Sequence, residues 1–289
     1  MGMENRKYGV FILSYGRSEK VYSYTTIRNM GYTGPIYIVC STDDSDLPNY
    51  QKKYENVIVF DKNDYRGKFD IGDNFDRQDT PIFARNANFN MAKELGLTHF
   101  IQLDDDYTSF QYRIPLGGKD GVLKGYHPKN LDAVFNAFFD YLDSTPTTSV
   151  AMAQGGDFIG GASNGFFWRK MIGGKRKIMN VYFNKVDRPY TFFGRVNDDV
   201  NTYVYNGRLG HLFFTHPYCS IIQKQTQSSS GGFTEYYRDT GTYIKSFYTI
   251  LFNPTACIIN ELPSKHRRLH HQVQWKHAVP SIISETHKK

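Results

Sequence analysis

What this 289-residue chain has little of narrows it first. It carries only three cysteines, Cys40, Cys219 and Cys257, an odd number spread far apart in apolar surroundings. That pattern supports neither a disulfide framework nor a zinc site and fits a reducing, intracellular compartment. No apolar run approaches the roughly 18 residues that would cross a bilayer. The first 20 residues hold only the short "YGVFILS", which reads as a strand rather than as the core of a signal peptide. The expectation is a cytoplasmic protein with no membrane partner and no obligate protein partner. Low-complexity tracts, internal repeats and any Pro/Gly/Ser linker long enough to separate one domain from another are also missing, so 1–289 reads as one domain. Two nucleotide-binding signatures are absent as well. The glycine-rich "QGGDFIGGASNGFFW" lacks the strand-GxGxxG-helix setting of a dinucleotide site and the Lys-Ser/Thr ending of a P-loop.

What is present describes a folded chain. Hydrophobic residues make up 40% and aromatics 16%, which excludes disorder on composition. The formal net charge of +7 points to polyanionic partners, nucleic acid or phosphorylated ligands. The charge is uneven: "KHRRLHHQVQWKH" near the end is basic, whereas residues 41–80 are rich in aspartate.

The first hundred residues alternate strand and helix signals. "YGVFILS", "PIYIVCS", "NVIVF" and "THFIQLD" are apolar, β-rich runs. A helix is expected over Ser18 to Met30, ending at Gly31, and another in "TPIFARNANFNMAKELG", with Thr80 as N-cap, Pro81 at the first helical position and Gly96 just past the end. Strand and helix in alternation build a parallel sheet with helices on both faces, and ligands then bind beyond the carboxyl ends of the strands. The second half is expected to contribute a helix at 128–143, strands at "SVAMAQ" and near "KIMNVYF", a short helix after "NDD" and a helix from Thr234 to about Leu251. Mixed connections there make antiparallel strands expected. "QTQSSSGG" (225–232) reads as a flexible active-site loop.

The ends of the first, second and fourth strands carry "SYGR", "STDD" and "DDD", all expected at one crevice. Three adjacent carboxylates, Asp104, Asp105 and Asp106, repel one another unless a cation sits among them. In an extended segment Asp104 and Asp106 share a face and Asp105 points elsewhere. A hard cation such as Mn²⁺ or Mg²⁺, held by one or two carboxylates plus a ligand's phosphates, fits that arrangement. The alternative is a solvated acidic turn.

An N-terminal half of this kind ending in "LDDD", with "FARNANFNMAKELGLTHFIQLDDD" before it, resembles the nucleotide-sugar-binding half of GT-A glycosyltransferases. The set "SYGR", "ARN…LDDDY", "SGG(F)TEYY" and "HHQVQW…VP" is similar, more narrowly and over nearly the whole chain, to the TET-associated glycosyltransferase family, found among phages and held to place sugars on 5-hydroxymethylated pyrimidines in DNA. The resemblance implies an α/β GT-A fold: a Rossmann-like, mostly parallel sheet with helices on both faces and a mixed C-terminal region. Within it, 1–110 would bind a nucleotide-sugar donor such as a UDP-sugar, 111–262 the acceptor, and 263–289 would form a basic tail.

The resemblance also implies roles. Asp104 and Asp106 would hold the metal, and Asp105 would reach the ribose hydroxyls. Ser14, Tyr15 and Arg17 after the first strand would meet the donor, Tyr15 stacking on its base and Arg17 steadying a phosphate. Asp43 or Asp44 would bond base or ribose, unless it forms an Asx turn. Arg85, next to Asn86, would contact sugar or diphosphate, the alternative being a surface salt bridge. A last metal ligand would come from the tail, His271 or His270. Inverting transfer needs a base to take the acceptor's proton. In "GRVNDDVNTYVYNG" that base would be Asp199, with Asp198 as the second choice or a helix cap. Asp157 would bond sugar hydroxyls, and His216 reads as structural.

A double-stranded DNA acceptor asks for phosphate-contacting cations and stacking aromatics. "GGKRK" (173–177), "HRR" (266–268) and Lys276 supply the first; Phe166, Phe167, Trp168, Tyr236 and Tyr237 are candidates for the second, each equally suited to a core. The alternative acceptor is a hydroxyl of a glycan, lipid or protein.

Overall fold

The computed structural model describes residues 6–115, 123–154, 178, 180–224, 244–262 and 268–288. Alternation of side chains along each strand decides the architecture. In β1 (Tyr8–Leu13) Val10 and Ile12 face one core and Phe11 the other. The same split separates Ile38 and Cys40 from Val39 in β2 (Ile36–Ser41). Both faces are apolar, so both need a cover. On one side lie α1 (Tyr22–Asn29) and α2 (Leu47–Lys53), which bring Ile27 and Tyr50. On the other lies α3 (Ile82–Glu94), which buries Ile82, Phe83, Ala87 and Met91.

After β3 (Val57–Phe60) come β4 (His99–Asp104), β5 (Tyr107–Pro115) and β6 (Leu123–Tyr126). Next are α4 (Leu131–Ser144), β7 (Ser149–Ala153), β8 (Asn180–Lys185), α5 (Asp198–Arg208) and β9 (Phe213–Gln223). The chain continues through α6 (Lys245–Phe252), the hairpin strands β10 (Cys257–Leu262) and β11 (Arg268–Val273), and α7 (Trp275–Ala278). Nine strands form one sheet in the order β3-β2-β1-β4-β8-β7-β9-β5-β6. The first four are parallel, as the strand-helix alternation implies, while β8 enters antiparallel to β4 and mixed pairing follows. With α4 packed on the α1 face and α5 on the α3 face, the sheet is covered on both sides, the α/β arrangement expected.

Several boundaries differ for local reasons. The helix expected from Ser18 is broken at Val21 into a 3₁₀ turn, Ser18–Lys20, and α1. The Ser18 amide donates to Asp46 Oδ2 (2.6 Å) and its carbonyl accepts from the Tyr54 hydroxyl (2.7 Å), so side chains from around α2 hold the backbone groups that a longer helix would use. Helix α3 starts at Ile82 with Pro81 at the N-cap, one residue later than expected, and the Thr80 hydroxyl donates to the Arg195 carbonyl (2.9 Å). Gly96, at φ +66°, ends it as expected. Asn130 caps α4 by accepting from the Ala133 amide (3.0 Å). Strands β5, β6 and β9 and helix α2 had no clear periodic signal. Of the helix expected from Thr234, residues 234–243 lie outside the described residues, and α6 covers the rest. Among the described residues no helix is long and apolar enough to cross a membrane.

Candidate active site

Parallel register aligns the carboxyl ends of the first strands: Leu13 of β1 pairs with Val39 of β2 and with Asp104 of β4. The loops starting at Ser14, Thr42 and Asp105 therefore lie side by side, the crevice the sequence implied. Their contacts sort the expected residues into those that face inward and those that do not.

Asp104 and Asp106 do not sit on a continued strand. The chain turns at Asp105 and Asp106, and β5 leaves for the far side of the sheet. Ser23 pins the turn: its hydroxyl donates to the Asp104 carbonyl (2.6 Å) and accepts from the Tyr107 amide (3.0 Å). Asp105 is turned inward and is 1% exposed, its Oδ2 accepting from the Ser14 hydroxyl (2.5 Å) and paired with Arg17 Nε (2.8 Å). Burial pushes its carboxyl up to about 6 despite Arg17. A carboxylate so enclosed braces Arg17 and Ser14 and presents no surface to a ribose. Asp106 bonds no other residue's side chain among the described residues; burial, then Asp104 and Asp105, push it up to about 7.

On the opposite side of the turn stands Arg85, 4% exposed on α3. Its Nη2 donates to Asp104 Oδ1 (3.0 Å) and its Nε pairs with Asp198 Oδ2 (2.6 Å). Tyr182 and Phe192 lie 5.2 and 5.7 Å from the guanidinium, which the two carboxylates hold well above the ordinary arginine range against the pull of burial. In place of a surface salt bridge, the buried Arg85 pairs with the buried Asp198 and with Asp104, whose side chain is 38% exposed. Asp198, 8% exposed, is the first residue of α5; its carboxylate goes to Arg85, not to a cap. Burial pushes it up, with Asp199 and Asp104 adding, while Arg85 pulls it back. Asp199 is only partly buried and no side chain among the described residues bonds it.

Asn197, before this pair, is left-handed at φ 56°, ψ 34°, a conformation asparagine tolerates better than most residues. Its amide donates to the Lys245 carbonyl (2.7 Å) and to His271 Nδ1 (3.3 Å). His271 is buried against Asn197, and no three His, Cys, Asp or Glu residues among the described ones are arranged to hold a metal ion. Two residues upstream, Arg195 is 0% exposed and bonds Asp73 through Nε (2.8 Å) and Nη2 (2.9 Å); the Tyr248 hydroxyl donates to the same carboxylate (2.5 Å). That clamp ties the loop before α3, the approach to α5 and α6 together. No motif in the sequence announced it.

At the other end of the crevice Tyr15 is 42% exposed, with Lys62 Nζ 4.5 Å from its ring centre. Lys62 is buried and pairs with Asp43 Oδ2 (2.8 Å), holding that carboxyl below its usual range even though burial works the other way. Asp44 faces inward, accepting from the Gly16 amide (2.9 Å) and the Asp46 amide (2.9 Å), which is the Asx-turn role. Of the two aspartates left open by the sequence, Asp43 is the outward one. Lys62 was not anticipated; a lone lysine after a strand gives no signal. His216 lies inside β9, its ring beside Phe138 (5.2 Å), a structural setting. Asp157, the aromatics 166–168, Tyr236 and Tyr237, and the basic stretches 173–177 and 266–267 lie outside the described residues.

A divalent cation fits the Asp104–Asp106 turn by the chemistry of its donors. Two acceptor carboxylates crowded with a third suit a hard cation that completes its shell with water and phosphate oxygens, and the like charges that raise Asp106 are what such a cation would relieve.

Comparison with known proteins gives one family, described as TET-Associated Glycosyltransferase, which matches residues 8–232. No curated protein matches the chain. Among solved structures, glucosyl-3-phosphoglycerate synthase from Mycobacterium tuberculosis, in complex with Mn²⁺, UDP and phosphoglyceric acid, is similar at 9% identity and a TM-score of 0.44, over 93% of this chain and 87% of that one. S. aureus TarS 1–349 is similar at 10% identity and a TM-score of 0.40, over 86% and 66%.

Proposed function

The chain belongs to the TET-associated glycosyltransferase family, and we propose that it moves a sugar from a UDP-sugar to the hydroxymethyl oxygen of a 5-hydroxymethylpyrimidine in double-stranded DNA. It is a nucleotide-sugar glycosyltransferase; the donor base, the acceptor and the residue roles are our reading. The observation that carries it is the placing of Asp104 and Asp198 on either side of Arg85 at the strand ends. That arrangement puts the aspartate turn and the acidic pair within one arginine's reach, which suits transfer between a diphosphate donor and a hydroxyl.

Asp104 and Asp106 would hold Mn²⁺ or Mg²⁺, which when bound neutralises charge on the nucleoside diphosphate. Tyr15, 42% exposed with Lys62 Nζ 4.5 Å from its ring centre, would meet the donor base, and Asp43, fixed by Lys62, offers an acceptor to a base or ribose hydrogen. Arg17, oriented by Asp105 and Ser14, serves the diphosphate. In the transfer step the acceptor oxygen bonds to the anomeric carbon as the bond from that carbon to the diphosphate oxygen breaks. Asp199 takes the hydroxyl proton, and inversion results. Asp199 suits this better than Asp198, because it is the member of the pair that Arg85 does not occupy.

The test is incubation with a panel of nucleotide sugars, Mn²⁺ and DNA containing hydroxymethylcytosine or hydroxymethyluracil, followed by nucleoside mass spectrometry. A hexose mass added to the modified nucleoside, dependent on Mn²⁺ and reduced about 100-fold or more by Asp199→Asn, is expected. Sugar hydrolysis without transfer to either base would turn the search to glycan, lipid or protein hydroxyls.

A further inference from the structure

Arg85 stands between groups with different tasks. Its planar fork reaches Asp104 with Nη2 (3.0 Å) and Asp198 with Nε (2.6 Å), while the rings of Tyr182 and Phe192 close in around it. At 4% exposure the guanidinium is given to the two carboxylates through Nη2 and Nε. Asp198 is buried, and leaving it without its counter-charge is strongly unfavourable, whereas the Asp104 side chain is 38% exposed. Arg85 is thus engaged by carboxylates from two elements at once. One positive charge also serves two acidic side chains, with Asp199 adjacent in sequence and Asp106 two residues from Asp104.

We propose that Arg85 is a shared counter-ion that couples divalent-cation binding at Asp104 to the acidic pair at the start of α5. This rests on the reading of Asp104 as a cation ligand. A cation and Arg85 compete for the same carboxylate. When Asp104 is given over to a cation, the guanidinium's charge falls to Asp198 alone, which keeps Asp198 ionised and in place beside Asp199. Coupling of this kind is reciprocal: if the cation shifts proton binding at the acidic pair by some factor, protonation of the pair shifts cation affinity by the same factor. Arg85 is then a positioning residue, and cation binding and readiness of the acidic pair form one equilibrium.

The measurement is a titration of the full chain with Mn²⁺ in the absence of donor, following the free ion by electron paramagnetic resonance. Arg85→Met, which removes the competitor, should bind Mn²⁺ about fivefold or more tightly while losing sugar transfer, a combination that loss of structure does not produce. Asp198→Asn leaves Arg85 wholly to Asp104 and should bind Mn²⁺ about fivefold or more weakly. Unchanged or weaker binding by a folded Arg85→Met overturns the proposal. Should that variant fail to fold, the nearly isosteric Asp198→Asn decides, and unchanged or tighter binding overturns it. A wild-type chain that binds no Mn²⁺ is a different result: it removes the cation from the site, and this proposal with it.

Discussion

At the scale of single residues, the three aspartates divide their work. Asp105 is spent inside the fold on Arg17 and Ser14, Asp104 is shared with Arg85, and Asp106 is left to carry the strain of the cluster. Its folded carboxyl titrates near 7, pushed there by burial and then by its neighbours, whereas an unfolded aspartate titrates near 4. The folded chain thus holds that proton more tightly, so ionising Asp106 opposes folding progressively from about pH 4 to about pH 7, and the full cost remains above. Asp106→Asn should therefore match the wild type in thermal unfolding at pH 4 in EDTA and exceed it increasingly up to pH 7.5, while sugar transfer is abolished. An offset in Tm that is the same at both ends of this range contradicts the assignment. How far this could be read in advance differs among the three. Charge crowding at a strand end is visible in "LDDD", but the turn that sends Asp105 inward depends on Ser14, Ser23 and Arg17 meeting it from elsewhere in the chain.

At the scale of elements, the start of α5 carries the functional geometry. Asn197 in the left-handed region aims the helix so that Asp198 points at Arg85, and its amide is bonded to the Lys245 carbonyl (2.7 Å). Asn197→Gly keeps the backbone conformation and loses the bonds; Asn197→Ala loses both. Urea unfolding should rank alanine below glycine by about 1 kcal/mol, and both should show reduced turnover. Equal stability for the two would mean that the turn is not held in this conformation. The clamp of Arg195 with Asp73 and Tyr248 supports the same turn from below, joining residues far apart in sequence. "NDD" before an amphipathic run is legible as a helix start. That its first aspartate pairs with Arg85 of α3, on the same face of the sheet, is not, since nothing in either segment names the other.

At the scale of the whole molecule, the net charge of +7 and the proposed DNA acceptor make a joint prediction. If about six phosphates are neutralised on binding, affinity for hydroxymethylated duplex DNA should fall roughly a thousandfold between about 50 and 200 mM salt. Fluorescence anisotropy with a labelled duplex measures this, and binding that is weak at low salt or indifferent to salt removes DNA as acceptor. The sheet provides the frame: four parallel strands bring three loops to one edge, and the antiparallel entry of β8 lets the second half of the chain bring α5 to the same edge.

The sequence by itself determined the strand-helix alternation, the parallel first half, the crevice at the strand ends and the acidic character of both the turn and the helix start. These follow from local periodicity and from residue types at element ends, which neighbours along the chain dictate. Only the tertiary structure decided which aspartates face inward, that Lys62 fixes Asp43, and that Arg85 joins Asp104 to Asp198. Each of those pairs a carboxylate with a buried or half-buried cation from another element, and a charge's partner on another element is set by packing, which no local pattern records.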